Sequence, residues 1–387
     1  MKSLEFITSE HSPITRRSFL GKSAKALLGL PLAAGCAPVA GCSLLSSEGD
    51  GFIRPARHWR RAGQGRVQCD LCPNACVLAP GERGLCRVRE NRNGALVTLV
   101  YGRLAAMHVD PIEKKPFNHF LPGSLAFSVA TAGCNLRCRF CQNWQLSQSR
   151  PEDLSAEPVS PASLAARARE RRAPVVAFTY NEPSIQFEYV MDAAASARER
   201  GLRPVIISAG HISPAASREY CRVLSAVKID LKSFSERFYA DVCGGSLAAV
   251  QRTLEIVKSS GVWLEIVVLV IPTMNDSPGE IRRMARWIVQ NLSADVPLHF
   301  TRFHPMYLMQ NLPPTPVDTL ERCREIARAE GVRYAYVGNL PGHRWEHTYC
   351  HRCSRVVVRR SGIYSTENLL RAGRCPGCGS AVPGVWA

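Results

Sequence analysis

Gly133-Cys134-Asn135-Leu136-Arg137-Cys138-Arg139-Phe140-Cys141-Gln142-Asn143-Trp144 places three cysteines at C-x3-C-x2-C spacing. An odd number of thiols cannot all pair as disulfides. Three thiolates this close can hold three irons of a cubane [4Fe-4S] cluster and leave the fourth iron without a protein ligand, whereas electron-transfer clusters commonly take four cysteines. An open iron points to chemistry rather than electron storage. A zinc site or a set of buried thiols is the competing reading.

Outward from this loop, between Ser124 and about Leu340, short apolar runs alternate with amphipathic segments, the pattern of repeated βα units on a parallel sheet. Strands are predicted to begin near Leu125, Pro174, Arg203, Ala226, Val262, Pro297 and Arg333. Between them Ile281, Met284 and Ile288, or Leu247, Val250, Leu254 and Val257, recur at three-and-four spacing and give each helix an apolar stripe. About six or seven units are too few for a closed eight-stranded barrel.

In such folds ligand groups gather at the carboxyl ends of strands. The first strand runs into Cys134, and the second ends in Thr179-Tyr180-Asn181-Glu182-Pro183. The third ends in Ile207-Ser208-Ala209-Gly210-His211, the fourth in Asp230-Leu231-Lys232 and the sixth in His304.

Cys134-x3-Cys138-x-Phe140-Cys141, with an aromatic before the third cysteine, resembles the signature of radical S-adenosylmethionine (SAM) enzymes. The resemblance implies an α/β core built as an open, partial (β/α)6-type parallel barrel. It also implies that a [4Fe-4S] cluster on Cys134, Cys138 and Cys141 binds the amino and carboxylate groups of SAM, cleaves it reductively and yields a 5′-deoxyadenosyl radical that abstracts hydrogen. Asn181-Glu182-Pro183 resembles the family's Gly-Gly-Glu-Pro element, where a carboxylate and strand-end backbone receive the methionyl ammonium. Asp230 and Lys232 match the Asp-Leu-Lys element of glycyl-radical-enzyme activases, suited to the ribose hydroxyls and the methionyl carboxylate. Phe140 joins this cofactor-binding set, and His304 stands where those activases present a histidine near SAM. The third strand end departs from the activases' Thr-Asn-Gly, leaving Ser208 or His211 as substitutes for the missing Asn.

Sixteen cysteines occur in 387 residues, and two further sets have metal-type spacing. Cys69, Cys72, Cys76 and Cys86 form C-x2-C-x3-C-x9-C, which suits zinc and a second iron-sulfur cluster about equally; two disulfides are a third option in an oxidising compartment. Cys350-x2-Cys353 and Cys375-x2-Cys378 describe two knuckles on hairpins, a zinc-ribbon or rubredoxin-like module with zinc preferred over iron. His347 and His351 are not needed as ligands there. Asp110-Pro111-Ile112-Glu113-Lys114-Lys115-Pro116-Phe117-Asn118-His119, just before the three-cysteine loop, reads equally well as a packed connector or a site wall, with His119 a weak candidate.

The amino terminus reads as a targeting segment over residues 1–42. Thr15-Arg16-Arg17-Ser18-Phe19-Leu20-Gly21-Lys22 resembles a twin-arginine export signal, and Val39-Ala40-Gly41-Cys42 resembles a lipoprotein processing box. The expectation is an exported, membrane-anchored protein, with a cytoplasmic one as the alternative, since SAM and low-potential electrons are made inside the cell. Residues 43–66 read as a flexible basic linker with five arginines around Trp59, 67–112 as the first cysteine module, 113–340 as the radical core and 341–387 as the second module.

The leading module, the Asp110–Pro116 run, Tyr180-Asn181-Glu182-Pro183, Tyr336-Val337-Gly338-Asn339 and the cysteine tail together resemble the AmmeMemoRadiSam system radical SAM enzymes, relatives of pyruvate formate-lyase activating enzymes. That likeness implies Memo-like and AMMECR-type partners, an electron donor and a substrate that can be a protein. The net charge of +17 also admits an RNA-modifying enzyme, but no basic stripe is interleaved with aromatics, so nucleic acid is not the expected partner. A membrane-tethered electron-relay protein without SAM turnover is the remaining alternative.

Overall fold

The computed structural model describes residues 50–387; the export-signal and processing-box motifs lie outside these described residues. No helix among the described residues is long and apolar enough to cross a membrane.

One eight-stranded sheet carries the chain from residue 106 to residue 338. Its strands are β1 (Ala106–Pro111), β2 (Leu125–Ala130), β3 (Val175–Phe178), β4 (Arg203–Ser208), β5 (Ala226–Asp230), β6 (Trp263–Val270), β7 (Leu298–Arg302) and β8 (Ala335–Gly338). They lie side by side in chain order. β2 to β8 are parallel, and β1 pairs antiparallel with β2. All seven predicted strands are present. The eighth, β1, was assigned to the first cysteine module and belongs to the sheet instead. Its burial does not alternate cleanly, as an edge strand's need not, so no period marked it.

Six helices make the crossovers: α1 (Pro161–Glu170), α2 (Phe187–Glu199), α3 (Pro214–Val223), α4 (Leu247–Ser259), α5 (Pro278–Asn291) and α6 (Val317–Ala329). α1, α3 and α5 begin alike. Ser160, Ser213 and Ser277 each turn a side-chain oxygen onto a backbone N–H of the first turn, and a proline follows each cap. Proline at that position costs nothing, since its missing N–H would have had no partner within the helix. Val175, Val176, Ala177 and Phe178 are all fully buried, as a strand covered on both faces requires.

The basic segment expected to be a flexible linker is folded from Arg54 onward. Trp59–Arg61 pairs with Val67–Cys69, Arg54–Pro55 pairs with the strand Ala95–Thr98, and Ala56 is buried. Composition hid this, because backbone pairing and polar tethers, among them the Arg57 N–H donating to Glu188 Oε1 at 2.7 Å, hold a stretch with little apolar content.

The tail forms a three-stranded antiparallel sheet, β9 (Thr348–Tyr349), β10 (Val356–Ser361) and β11 (Ser365–Asn368). It is joined to the core through the 110–123 run. Arg360, buried, donates to the Asn118 carbonyl at 2.6 Å, and Phe120 bridges to Val385. His119, also buried, meets Pro383 O through Nδ1 at 2.6 Å and the Tyr336 hydroxyl through Nε2 at 2.5 Å. His119 is therefore a joint between core and tail. Lys114, Lys115 and Pro116 of the same run line the cavity described next.

Candidate functional site

At the carboxyl ends of the parallel strands lies a cavity of about 540 Å³. Cys134, Cys138, Cys141, Phe140, Asn181, Glu182, Asp230 and Lys232 all line it. His304 does not. It is exposed, two residues beyond β7 and outside the lining of the cavity, although the loop it starts returns to the cysteine loop, Leu308 N–H donating to Arg139 O at 3.0 Å.

The three-cysteine loop is held by its neighbours. Arg137 N–H donates to Cys243 O at 2.7 Å and Arg139 N–H to Val242 O at 3.0 Å, while Leu136 N–H points at Cys134 Sγ at 3.4 Å. Gly133, which starts the loop, has φ +89°, and a Cβ there would stand 2.4 Å from the Cys86 carbonyl. Only glycine allows both the turn and that approach. Cys141 Sγ contacts Ser147 Oγ at 3.2 Å. None of the three sulfurs is in a disulfide.

Asn181 donates its side-chain amide to Thr131 O at 2.7 Å and Gly133 O at 2.8 Å, tying the second strand end to the cysteine loop. Glu182 is buried and receives three donors: Ser208 Oγ at 2.7 Å, Ala209 N at 2.7 Å and Ser184 N at 3.1 Å. Burial raises its carboxyl above the usual range against the pull of these bonds. From the third strand end Ser208 thus braces Glu182 without itself lining the cavity. His211 takes no part in the cavity, its backbone carbonyl instead receiving the Asn135 amide at 2.7 Å.

Asp230 lies between two ammonium groups, hydrogen-bonded to Lys228 and 3.8 Å from Lys232 Nζ. Burial opposes its ionisation, but Lys228 and then Lys232 outweigh it and hold the carboxyl low. Lys232 Nζ sits 5.7 Å from the centre of the Phe140 ring, within cation–π range.

Lys228, Tyr180 and Cys243 were given no role by the sequence reading. Lys228 was visible in principle, since in Val227-Lys228-Ile229-Asp230 a buried strand turns residues 228 and 230 to one face. Tyr180 has φ +68° and donates its hydroxyl to Asp110 at 2.7 Å, while Lys115 Nζ lies 2.5 Å from the same carboxylate. Burial pushes the Lys115 ammonium down to about 8, with Asp110 resisting. Cys243, fully buried, lies beside Cys138, and its thiol, aided by the Lys232 charge, pulls the Cys138 thiol down to about 7. No local signal connects positions 138 and 243.

The tail cysteines form a different object. Cys350, Cys353, Cys375 and Cys378 bring their sulfurs within 4.8 Å of one another, with Cys350–Cys378 and Cys353–Cys375 both at 3.6 Å. Four thiolates about 2.3 Å from one ion would have edges of roughly 3.8 Å, so this is a single-ion site by size. His351 bonds Tyr334 and His347 accepts from Arg360 N, and neither belongs to the clustered donor group.

Residues 128–288 match the family model described as the Radical SAM superfamily. The chain is 37% identical over 335 residues to an uncharacterized protein of Methanocaldococcus jannaschii, covering 85% of this chain and 99% of that one. It is 27% identical over 164 residues to the pyruvate formate-lyase-activating enzyme of Clostridium pasteurianum, 41% of this chain and 67% of the relative. A domain of the pyruvate-formate lyase-activating enzyme from Bacteroides vulgatus aligns at 16% identity and TM-score 0.39, over 42% of this chain and 98% of that domain. A [4Fe-4S] cluster and SAM are what membership implies, and three free thiols on one polar cavity fit them. The chain belongs to the radical SAM superfamily.

Proposed function

We propose that this chain cleaves SAM reductively and abstracts hydrogen from a substrate, in the manner of the glycyl-radical-enzyme activases and of the AmmeMemoRadiSam system. One observation carries the reading: Cys134, Cys138 and Cys141 converge on one cavity with Glu182, Asp230 and Lys232. When bound, the cluster would supply the electron and the open coordination site. Cys134, Cys138 and Cys141 hold it. Glu182, fixed by Ser208 and Ala209, keeps lone pairs for the methionyl ammonium. Asp230 suits the ribose hydroxyls and Lys232 the methionyl carboxylate. Lys114, Lys115 and Pro116 line the same cavity and would meet whatever shares it with SAM.

For the tail tetrad, whose sulfur separation suits one tetrahedral ion, we take zinc over iron because thiolate zinc sites of this spacing are the commoner kind. Memo-like and AMMECR-type proteins and a low-potential electron donor remain the partners to test, and a protein chain is the first substrate class to try. The test is direct. Anaerobically reconstituted chain with dithionite should convert SAM to methionine and 5′-deoxyadenosine, and retention of that activity in Cys138→Ala would sink the assignment.

A further inference from the structure

Cys69, Cys72, Cys76 and Cys86 have the ligand number of the tail tetrad but not its size. All four line one small enclosed cavity of about 20 Å³, together with Arg89 and Asn135. That is more than the roughly 10–15 Å³ needed to admit a water molecule. Sulfurs closed at about 2.3 Å around a zinc leave no such space between them. Consistent with this, among the described residues the tail set is the one group of three or more Cys, His, Asp or Glu whose donor atoms all lie within 4.8 Å of each other. The first module's sulfurs stand wider apart. None is in a disulfide.

A second observation concerns charge. Arg89 is 1% exposed, and its Nη2 donates to Arg57 O at 2.6 Å and Glu188 Oε1 at 2.9 Å. Its Nε and Nη1 have no partner in the protein, although both are buried. Unsatisfied buried donors on a cation are costly, and neutral disulfides would not answer them. An anionic centre would, most readily one whose own sulfides add acceptors to the four thiolates.

We propose that Cys69, Cys72, Cys76 and Cys86 hold a second iron-sulfur cluster of the [4Fe-4S] class. It lies against the radical centre. Asn135, a wall of this cavity, directly follows Cys134 in the chain and receives the Asn74 amide on its carbonyl at 2.8 Å. The Cys86 carbonyl packs on Gly133.

The experiment uses the full chain with Cys134, Cys138 and Cys141 all changed to Ala, reconstituted anaerobically with iron and sulfide and desalted. Its readout is independent of SAM turnover, so it stands or falls apart from the proposed function. The expected content is about four iron and four sulfide per chain, falling to near none when Cys72→Ser and Cys76→Ser are added. Should the triple variant not fold, the unaltered chain answers instead, with about eight iron against about four for the central cluster alone. Zinc filling the first module, about two iron and two sulfide, or oxidised metal-free thiols would each overturn the proposal.

Discussion

The three-cysteine loop and the four-cysteine tail use the same chemical group at opposite ends of its range. In the loop, three sulfurs face a 540 Å³ cavity with two carboxylates and several ammonium groups around them. In the tail, four sulfurs lie within 4.8 Å of one another, two pairs of them at 3.6 Å. A thiolate cage that leaves a position open can bind and change a ligand, whereas zinc with every position filled by the chain braces chain segments. The difference teaches that ligand count and sulfur separation, more than ligand type, divide chemistry from structure in this molecule.

The sharpest way to break that division is Cys138→Ala. SAM cleavage should fall by at least about a thousandfold, while the metal content of the tail stays unchanged; a comparable loss of tail metal would mean the two regions are not independent. The reciprocal change, Cys375→Ser, should act on stability. We expect a loss on the order of 4 kcal/mol, read as a drop in Tm of roughly 10 °C, with SAM cleavage per intact central cluster within about twofold of the unaltered chain. Loss of cleavage in a variant that still folds would remove the division of labour.

The joint between the regions gives a smaller, pH-dependent effect. Burial, with Arg360 and His299 adding to it and Glu265 and the Pro383 carbonyl opposing, holds His119 down to about 4 against an ordinary value of 6.5. A depressed histidine is neutral in the folded chain. Its stabilising contribution is therefore complete above about pH 6.5 and is lost as pH falls toward 4, by at most about 3 kcal/mol. Thermal melts between pH 7 and 5 should show a steeper decline for the unaltered chain than for His119→Gln; equal slopes would remove His119 from the joint.

The smallest effect is expected on the open side. Glu182→Gln replaces one accepting oxygen by a donor facing Ser208 Oγ or Ala209 N, and the affinity for SAM should weaken by about 10- to 100-fold. Isothermal titration with the cluster-loaded variant checks this, and unchanged affinity would leave Glu182 as a brace for the third strand end alone.

Much of this arrangement was legible before any coordinates. The seven parallel strands announced themselves because strands covered on both faces must be continuously apolar, and the strand-end polar residues followed from the rule that loops at that end face the ligand. β1 was not legible, since its pattern satisfies neither period. Lys228 was half-legible, as a lysine sharing a face with Asp230 in an apolar strand. His304 was placed by analogy, and its exposed position just past β7 leaves it outside the cavity lining. Cys243 could not be found, because 105 residues and three sheet strands separate it from Cys138 in the chain while packing brings them together.

By itself the sequence determined the family, the parallel core, the three-cysteine loop and the existence of two four-cysteine sets, because each rests on residue type and local spacing. Only the tertiary structure decided that Ser208 supports Glu182, that His119 joins core to tail, and that the two tetrads differ in size. Spacing along a chain bounds how far apart sulfurs can lie, but the packing around Arg89 and Asn135 sets how far apart they do lie.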